Sequence, residues 1–489
     1  MRFLSTAFLA LALAQPALAQ VPGPTLSLDE ATTIARQNNP LIRQTESARI
    51  RSAAQVRAAR GSFLPSLDAS FGTGFREGRP QSFGGVSFGS TSSTIGSTYS
   101  FNSSVQYNAA TLMGPKAARA NAEATEADIG AGEQNLRSQV TQDYIIVLQD
   151  QASVLLQDSL LANAKAQLDL ARARAAAGAA TNLDVQRAEV QLGQQQVAEL
   201  RAQNALETAR LRLFEIMGVD QPAAVRLTTR FTVEQPRLSL EQVLGQARTA
   251  NPSLLAARAR EDASDVNIRR ARSEYTPTLG LNANLGGYTN HVTNETFFFS
   301  SALSNARNQC ASIESFKALA GQPSNPASCD AINTLTPTQQ TSLDQQVSAN
   351  RNFPFAFTRN PYSLNASLSI PIFNGFQREQ RVQEAQANRN DAKYAVRAQE
   401  LRLNADVTSA YLTLQTDFRA IGIQEQNSKT ARDALSLAEE RYRVGANSFL
   451  EVTQARADYV RAETDRINAI YDYHRAFAAL ESAVGRPLR

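Results

Sequence analysis

The chain is written twice. Residues 26 to 68, LSLDEATTIARQNNPLIRQTESARIRSAAQVRAARGSFLPSLD, lie without a gap over residues 238 to 280, LSLEQVLGQARTANPSLLAARAREDASDVNIRRARSEYTPTLG; Leu26 falls on Leu238, Pro40 on Pro252 and Pro65 on Pro277. A second constant offset sets Tyr144 on Tyr411, Gly178 on Gly445 and Gly218 on Gly485. The halves differ mainly by an insertion of about 55 residues in the second, the signature of a repeated structural unit. Most of it falls between Tyr288 and Tyr362. The expected organisation is one repeat over 20–222 and another over 223–489, the second carrying an enlarged loop at 287–361.

Each half gives the same local reading. Ser27 with Glu30, and Ser239 with Gln242, have the spacing of capping boxes that open a short helix. Asn39-Pro40 and Asn251-Pro252 then end it and start another, because Asn caps well and Pro suits the first helical position. Pro65 and Pro277 stop that second helix. The period then changes to two. Leu67, Ala69, Phe71, Thr73 and Phe75 alternate with small polar residues, as do Tyr99, Phe101, Ser103, Val105 and Tyr107. The second half repeats this from Leu279 to Leu285 and from Leu364 to Ile372. Runs of about nine or ten such residues suit a tilted membrane-spanning strand, and a soluble sheet with one solvated face has the same pattern.

After each hairpin comes a helical pattern from about Lys116 to Ala177, and again from about Arg378 to Val444. At 1.5 Å per residue each makes a rod of about 90 Å, which needs neighbours to cover its apolar stripe. That stripe runs through Leu136, Val140, Tyr144, Val147, Leu148, Val154 and Leu155, and the return strokes 182–217 and 449–484 supply the cover. Gly178 and Gly445 sit where the rods reverse, a position suited to glycine.

The N-terminus reads as a signal peptide over 1–19, with an apolar run from Phe3 to Ala14 and a small-x-small site at Ala17-Leu18-Ala19. The expected mature start, Gln20, offers no cysteine for a lipid anchor. Beyond it no stretch of about 18 uncharged apolar residues exists, so a bilayer crossing has to be made with strands. The signal peptide, with long polar loops at one end (76–98 and 287–361), favours the membrane sheet. Four strands cannot close a barrel, and hydrocarbon does not tolerate unpaired edges. Several chains must therefore share one barrel, which gives a homo-oligomer of unspecified number.

Chemistry is sparse. Two histidines, His291 and His474, show no metal-ligand spacing, and no phosphate loop or nucleophile elbow occurs. No catalytic residue, cofactor or metal is expected. Acidic and basic residues are interspersed and the formal charge is +4, so no nucleic-acid footprint is present. Cys310 and Cys329 are candidates for a disulfide in an exported chain, the other reading being two unpaired thiols. The sequence holds no tryptophan, so an aromatic girdle would use Tyr99, Tyr107, Tyr288, Tyr362 and Phe373.

The doubled pattern, the proline-bounded switches, PIFNG at 371–375 and RYRVGANSFLEV at 441–452 together resemble the TolC family of outer-membrane efflux ducts across nearly the whole mature chain. The resemblance implies a mixed α and β membrane protein. It would be a homotrimer whose twelve-stranded β-barrel, four strands per chain, sits in outer-membrane lipid above a long α-helical periplasmic barrel. It also implies a periplasmic adaptor and an inner-membrane pump of RND, ABC or MFS type, with export of drugs, metals or proteins. Both turns would lie at the periplasmic entrance, with Gly178, Thr181, Gly445 and Ser448 at the adaptor.

Glu451 has two readings. It is a capping residue with Ser448, as Asp184 is with Thr181, or three copies ring the axis and attract cations. The resemblance places a second acid where this chain has Gln454, and a basic residue where it has Asn447. Tyr442 and Asp184 match the family's remaining linking positions, which implies a hydrogen bond between them. The rival to a duct is an exported coiled-coil structural protein or adhesin, which explains the rods but not the alternating hairpins.

Overall fold

A computed structural model of the protein describes residues 25–79, 81–83, 86–88, 92–221, 225–235, 238–354 and 356–488. The expected signal peptide, 1–19, lies outside the described residues. In chain order the first elements are β1 (Thr25–Leu26), α1 (Leu28–Asn38), α2 (Pro40–Gly61), β2 (Ser66–Arg76), β3 (Gln81–Phe83), β4 (Val86–Phe88) and β5 (Thr94–Tyr107). Next come α3 (Ala109–Ala176), α4 (Asn182–Met217), β6 (Arg226–Leu227), α5 (Leu240–Ala250), α6 (Pro252–Ser273) and β7 (Thr278–Val292). The last are α7 (Thr296–Leu319), α8 (Ala327–Asp330), α9 (Pro337–Arg351), β8 (Thr358–Arg359), β9 (Ser363–Ser369), α10 (Gln377–Arg443) and α11 (Phe449–Val484). Two compact units result: one takes the chain up to Arg57 with Lys116–Ala271 and Glu379–Arg489, the other Ala58–Pro115 with Arg272–Arg378.

In the first, helical unit the caps form as the spacing predicts. Ser27 Oγ accepts from the Glu30 amide (3.2 Å) while the Glu30 carboxylate accepts from the Ser27 amide (2.8 Å). Ser239 and Gln242 repeat this at 3.3 and 3.0 Å. Asn39 does two jobs: its Oδ1 accepts from the Leu41 amide (2.9 Å), and its Nδ2 donates to the Ile216 carbonyl at the end of α4 (2.8 Å). Asn251 does likewise with the Leu254 amide and the Ala483 carbonyl, both at 2.9 Å. The backbone comes close here. A Cβ on Gly218 would stand 2.6 Å from the Asn38 carbonyl oxygen, and one on Gly485 2.6 Å from Pro252 Cδ.

Two apolar cores follow from these junctions. Leu136, Val140, Tyr144 and Val147 of α3 bury against Leu206, Leu213, Phe214 and Met217 of α4, with Ala31 and Ala35 of α1. Leu403, Val407 and Leu414 of α10 bury against Tyr473, Leu480 and Val484 of α11, with Val243 and Ala247 of α5. Each fully buried Leu or Val contributes about 1.5–3 kcal/mol. Leu148 and Val154 pack on the first core at its edge, but Leu155 is exposed, so the stripe read from sequence ends one residue early.

The second unit is a sheet in which β2, β5, β7 and β9 pair antiparallel in that order, with β8 also pairing on β7. Register puts Phe101 opposite Leu285, Val105 opposite Leu281, and Leu281 opposite Ala366. Asp68, Asn102, Asn284 and Ser363 form one row of the other face. Leu67, Phe71, Phe101, Leu281, Leu285, Leu364 and Leu368 are all exposed. One side of the sheet is thus an apolar surface, exposed over most of its length and covered at one end, where Phe357 packs on Phe71 and Tyr99; the other side is polar. Among the described residues the outer edges of β2 and β9 are unpaired.

Several boundaries differ from the sequence reading. Helix α3 begins at Ala109, not near Lys116, and carries Pro115 inside it. Strand β9 stops at Ser369, short of the expected Ile372, because Pro371 has no amide to give a ladder. The segment 287–361 is not simply a polar loop. Its first six residues continue β7, and α7, α8 and α9 fill most of the rest. In the loop 76–98, β3 pairs with β4. Cys310 of α7 and Cys329 of α8 are joined by a disulfide. Asn350 ties α9 to the end of β7, accepting from the Val292 amide (2.6 Å) and donating to its carbonyl (3.1 Å).

Candidate functional site

The two reversals meet in one cluster within the helical unit. Leu168 and Ala171 of α3, Ala188 of α4, Leu435, Ala438 and Tyr442 of α10, and Phe449 and Val452 of α11 bury one another. At the first turn Gly178 adopts φ 70°, letting the Ala179 amide reach the Arg174 carbonyl (2.8 Å) and its own amide the Ala175 carbonyl (3.0 Å). At the second, Gly445 at φ 81° allows Ala446 to reach Arg441 (2.8 Å) and Gly445 to reach Tyr442 (3.0 Å). Both are Schellman closures, which require a left-handed residue.

The caps beyond the turns are not equivalent. Thr181 and Asp184 form a complete box: Thr181 Oγ1 accepts from the Asp184 amide (3.3 Å), and Asp184 Oδ2 accepts from the Thr181 amide (3.1 Å) and hydroxyl (2.8 Å). Ser448 accepts from the Glu451 amide (3.4 Å) and gives its hydroxyl to Glu451 Oε1 (3.2 Å). The reciprocal bond to the Ser448 amide is absent from this cap. Glu451 is therefore a weaker cap than its spacing implies, and its carboxylate is exposed. Gln454 donates to Asp458 Oδ1 at 3.3 Å. A second acid thus stands seven residues after Glu451 on the same stripe, a heptad signal that the search three residues on passes over.

The expected hydrogen bond between Tyr442 and Asp184 does not form. The Tyr442 hydroxyl is buried without a partner, and Asp184 is taken up by Thr181. Burial pushes the Tyr442 phenol up; the Arg174 charge opposes this and the Asp184 carboxylate adds to it. Arg174 is the residue that sequence reasoning missed. Its guanidinium lies 4.4 Å from the Tyr442 ring centroid, and it donates to the Tyr442 carbonyl and, at 3.3 Å, to the Ala179 carbonyl. Further up, Glu439 Oε1 accepts from Gln167 (3.2 Å) and from the buried Arg456 (2.7 Å), joining three helices. Asn447 lies half-buried in the second turn.

Among the described residues no group of three or more His, Cys, Asp or Glu could hold a metal, and no helix is long and apolar enough to cross a membrane. The sequence profile of the outer membrane efflux protein family matches residues 32–219 and 333–486. The chain belongs to that family. It is an outer-membrane efflux channel of a Gram-negative bacterium, and the reading as a non-conducting adhesin is set aside. Outer membrane protein TolC of Escherichia coli K12 is 24% identical over 465 residues, covering 92% of this chain and 80% of that protein. The pyoverdine export outer membrane protein OpmQ of Pseudomonas putida KT2440 is 25% identical, covering 94% and 85%. Among solved structures, the outer-membrane channel OprN superposes with TM-score 0.69 at 18% identity, covering 94% of this chain and 90% of that one. The open state of the Neisseria gonorrhoeae MtrE outer membrane channel gives 0.66 at 18%, covering 94% and 89%. The fold of this efflux family member is therefore the mixed α and β fold of the TolC-like channels.

Proposed function

We propose that three copies of this chain close one twelve-stranded barrel in the outer membrane and pool twelve helices into one periplasmic duct. The duct passively receives substrates from a periplasmic adaptor and an inner-membrane pump of RND, ABC or MFS type. The carrying observation is the pair of edges on β2 and β9, unpaired among the described residues, beside an apolar face that is exposed over most of its length. In hydrocarbon each unsatisfied backbone group costs several kcal/mol, so a second copy must cover those edges.

The helices support the same reading. Leu183, Val190, Val197 and Leu211 of α4 are exposed at heptad spacing, and Tyr394, Leu401, Leu412, Ile423 and Leu437 are exposed along α10. Such stripes are coiled-coil seams awaiting a partner. The paired bonds of Asn39 and Asn251 favour two structural repeats, 20–222 and 223–489. The turn cluster is then the periplasmic entrance, with Gly178, Thr181, Gly445 and Ser448 facing the adaptor and three copies of Glu451 near the axis.

Two measurements test this. The purified protein should need detergent, run as a heat-resistant trimer and carry single-channel currents in planar bilayers; a detergent-free monomer sinks the proposal. Glu451→Ala should lower cation selectivity and divalent block, and unchanged selectivity leaves Glu451 as a cap alone.

A further inference from the structure

Four helices, α2, α3, α6 and α10, carry the chain between the helical unit and the sheet unit, crossing at Arg57, Lys116, Ala271 and Glu379. Ion pairs set them side by side within the helical unit. Arg49 of α2 donates to Glu126 of α3 (2.8 Å), Arg260 of α6 to Asp128 of α3 (3.2 Å), and Arg389 of α10 to Asp265 of α6 (3.0 Å). The resulting order, α2, α3, α6, α10, is that of the strands to which they lead, β2, β5, β7 and β9.

Between these ion pairs and the crossings the charge balance changes. Residues 50–57 of α2 hold Arg51 and Arg57, 116–125 of α3 hold Lys116 and Arg119, and 266–271 of α6 hold Arg269 and Arg270, against Glu123 as the one acid. On α10, Glu379 and Glu384 accept from Gln383 (3.2 Å) and Gln380 (2.8 Å). Arg270 and Arg381 engage neighbouring groups. Arg51, Arg57, Lys116, Arg119 and Arg269 are exposed, and among the described residues none of them makes an ion pair or a side-chain hydrogen bond. Like charges gathered at one end of a bundle repel and destabilise it. Folding alone would answer them with acids, as Glu126, Asp128 and Asp265 answer the arginines lower on the same helices.

We propose that Arg51, Arg57, Lys116, Arg119 and Arg269, all in the helical unit, form a basic collar that binds the headgroups of anionic phospholipid, such as phosphatidylglycerol, in the periplasmic leaflet. The inference rests on the reading above, in which the sheet crosses the outer membrane and the turns face the periplasm. At 1.5 Å per residue the five bases lie about 6–15 Å along their helices from Gly61, Ala109 and Ser273, the helix ends beyond which the strands begin. Long basic side chains extend toward a charged surface while their stems stay on the helix, and the attraction reaches about 8–10 Å at moderate salt. A single free phosphate would need bases converging on one point. These are spread over three neighbouring helices, as a charged surface requires.

Electron spin resonance on the full-length protein, reconstituted in phosphatidylcholine with a trace of spin-labelled phosphatidylglycerol or phosphatidylcholine, separates lipid immobilised at the protein from bulk lipid. Phosphatidylglycerol should be enriched up to about fivefold at low salt, the factor that one base near an anionic surface supplies. The enrichment should vanish in 1 M sodium chloride, where screening leaves about 3 Å of reach. Arg51→Gln, Arg57→Gln, Lys116→Gln, Arg119→Gln and Arg269→Gln together should abolish it while immobilised phosphatidylcholine remains, since glutamine keeps helix propensity. Should that variant fail to assemble, Arg51→Gln with Arg57→Gln, and Lys116→Gln with Arg119→Gln, should each remove part of the enrichment. Equal immobilisation of the two lipids by the parent, or enrichment unchanged in the variants, overturns the collar and leaves the membrane sheet standing. Enrichment abolished by inorganic phosphate but not by sodium chloride of equal ionic strength assigns the bases to free phosphate, which also overturns it. No immobilised lipid of either kind removes the membrane reading itself, and the collar with it.

Discussion

The guanidinium carbon of Arg174 lies over the ring of Tyr442, 4.4 Å from the centroid, across a sequence separation of 268 residues. One side chain from the last turn of α3 thus holds both the ring and the carbonyl of Tyr442, one residue before the end of α10. A cation–π contact of this kind contributes about 0.5–2 kcal/mol. Arg174→Ala should therefore favour parted turns by roughly two- to thirtyfold. Single-channel recordings should show a higher resting conductance, and Arg174→Lys should restore the wild-type value only in part, because an ammonium cannot serve ring and two carbonyls together.

Tyr442→Phe should behave in the opposite way. Its hydroxyl is buried and without a partner, so deletion removes a desolvated polar group and no bond. Thermal unfolding in detergent should show an unchanged or higher midpoint. A fall of more than about 1 kcal/mol would mean that the assembled protein gives this hydroxyl a partner.

What could be read from the sequence and what could not divides on physical grounds. Gly178 and Gly445 were legible because a left-handed turn admits few other residues, and Ser27, Ser239 and Thr181 because a cap's partner lies three residues away. The strands were legible from alternation, apart from the end at Pro371. Arg174 was not, since a carbonyl and a ring face 268 residues distant leave no spacing to detect. The helix α7 was hidden by its Ser and Asn content, which reads as loop. The Tyr442–Asp184 bond failed because Asp184 has a nearer partner in its own cap.

Tyr144→Phe should destabilise more than Tyr411→Phe. The Tyr144 hydroxyl donates to the Leu26 carbonyl (2.8 Å) and accepts from the Thr229 amide (3.1 Å), and the residue is fully buried. Tyr411 donates to the equivalent Leu238 carbonyl at 3.1 Å and accepts from Gln415 Nε2 at 3.0 Å, but it is only part-buried, so water can replace both bonds. Loss of the first should cost about 1–3 kcal/mol and of the second about 1 kcal/mol or less. Paired denaturant titrations of the two variants measure the difference directly.

Asp417→Asn should stabilise the protein at neutral pH. Burial pushes the Asp417 carboxyl up, the Asp472 charge adds to this and the Arg475 charge opposes it. A folded-state pKa above the unfolded one contributes stability that is full below the unfolded value and lost as pH rises through the folded value. The asparagine carries no such loss. Its advantage in unfolding midpoint should be present at pH 7 and close as pH falls below the ordinary carboxylate range. A parent more stable than the variant at pH 7 would show that Arg475 prevails.

Removing the disulfide should loosen one segment and spare the channel. The Cys310–Cys329 bridge closes a loop with a separation of 19 residues, worth about 3 kcal/mol of chain entropy. Other bonds hold the same segment: Arg307 donates to the Ile332 carbonyl and to Asn333 Oδ1, both at 3.1 Å, and the Asn325 amide donates to Glu314 at 2.8 Å. Cys310→Ser with Cys329→Ser should therefore leave the helices in place but expose the stretch between α7 and α9 to protease. Limited digestion should cut the variant between about residues 320 and 336, where the segment lacks long helices, and leave the wild type whole until reductant is added. Conductance of the variant should match the wild type, because neither cysteine lies in the helical unit that holds the turns.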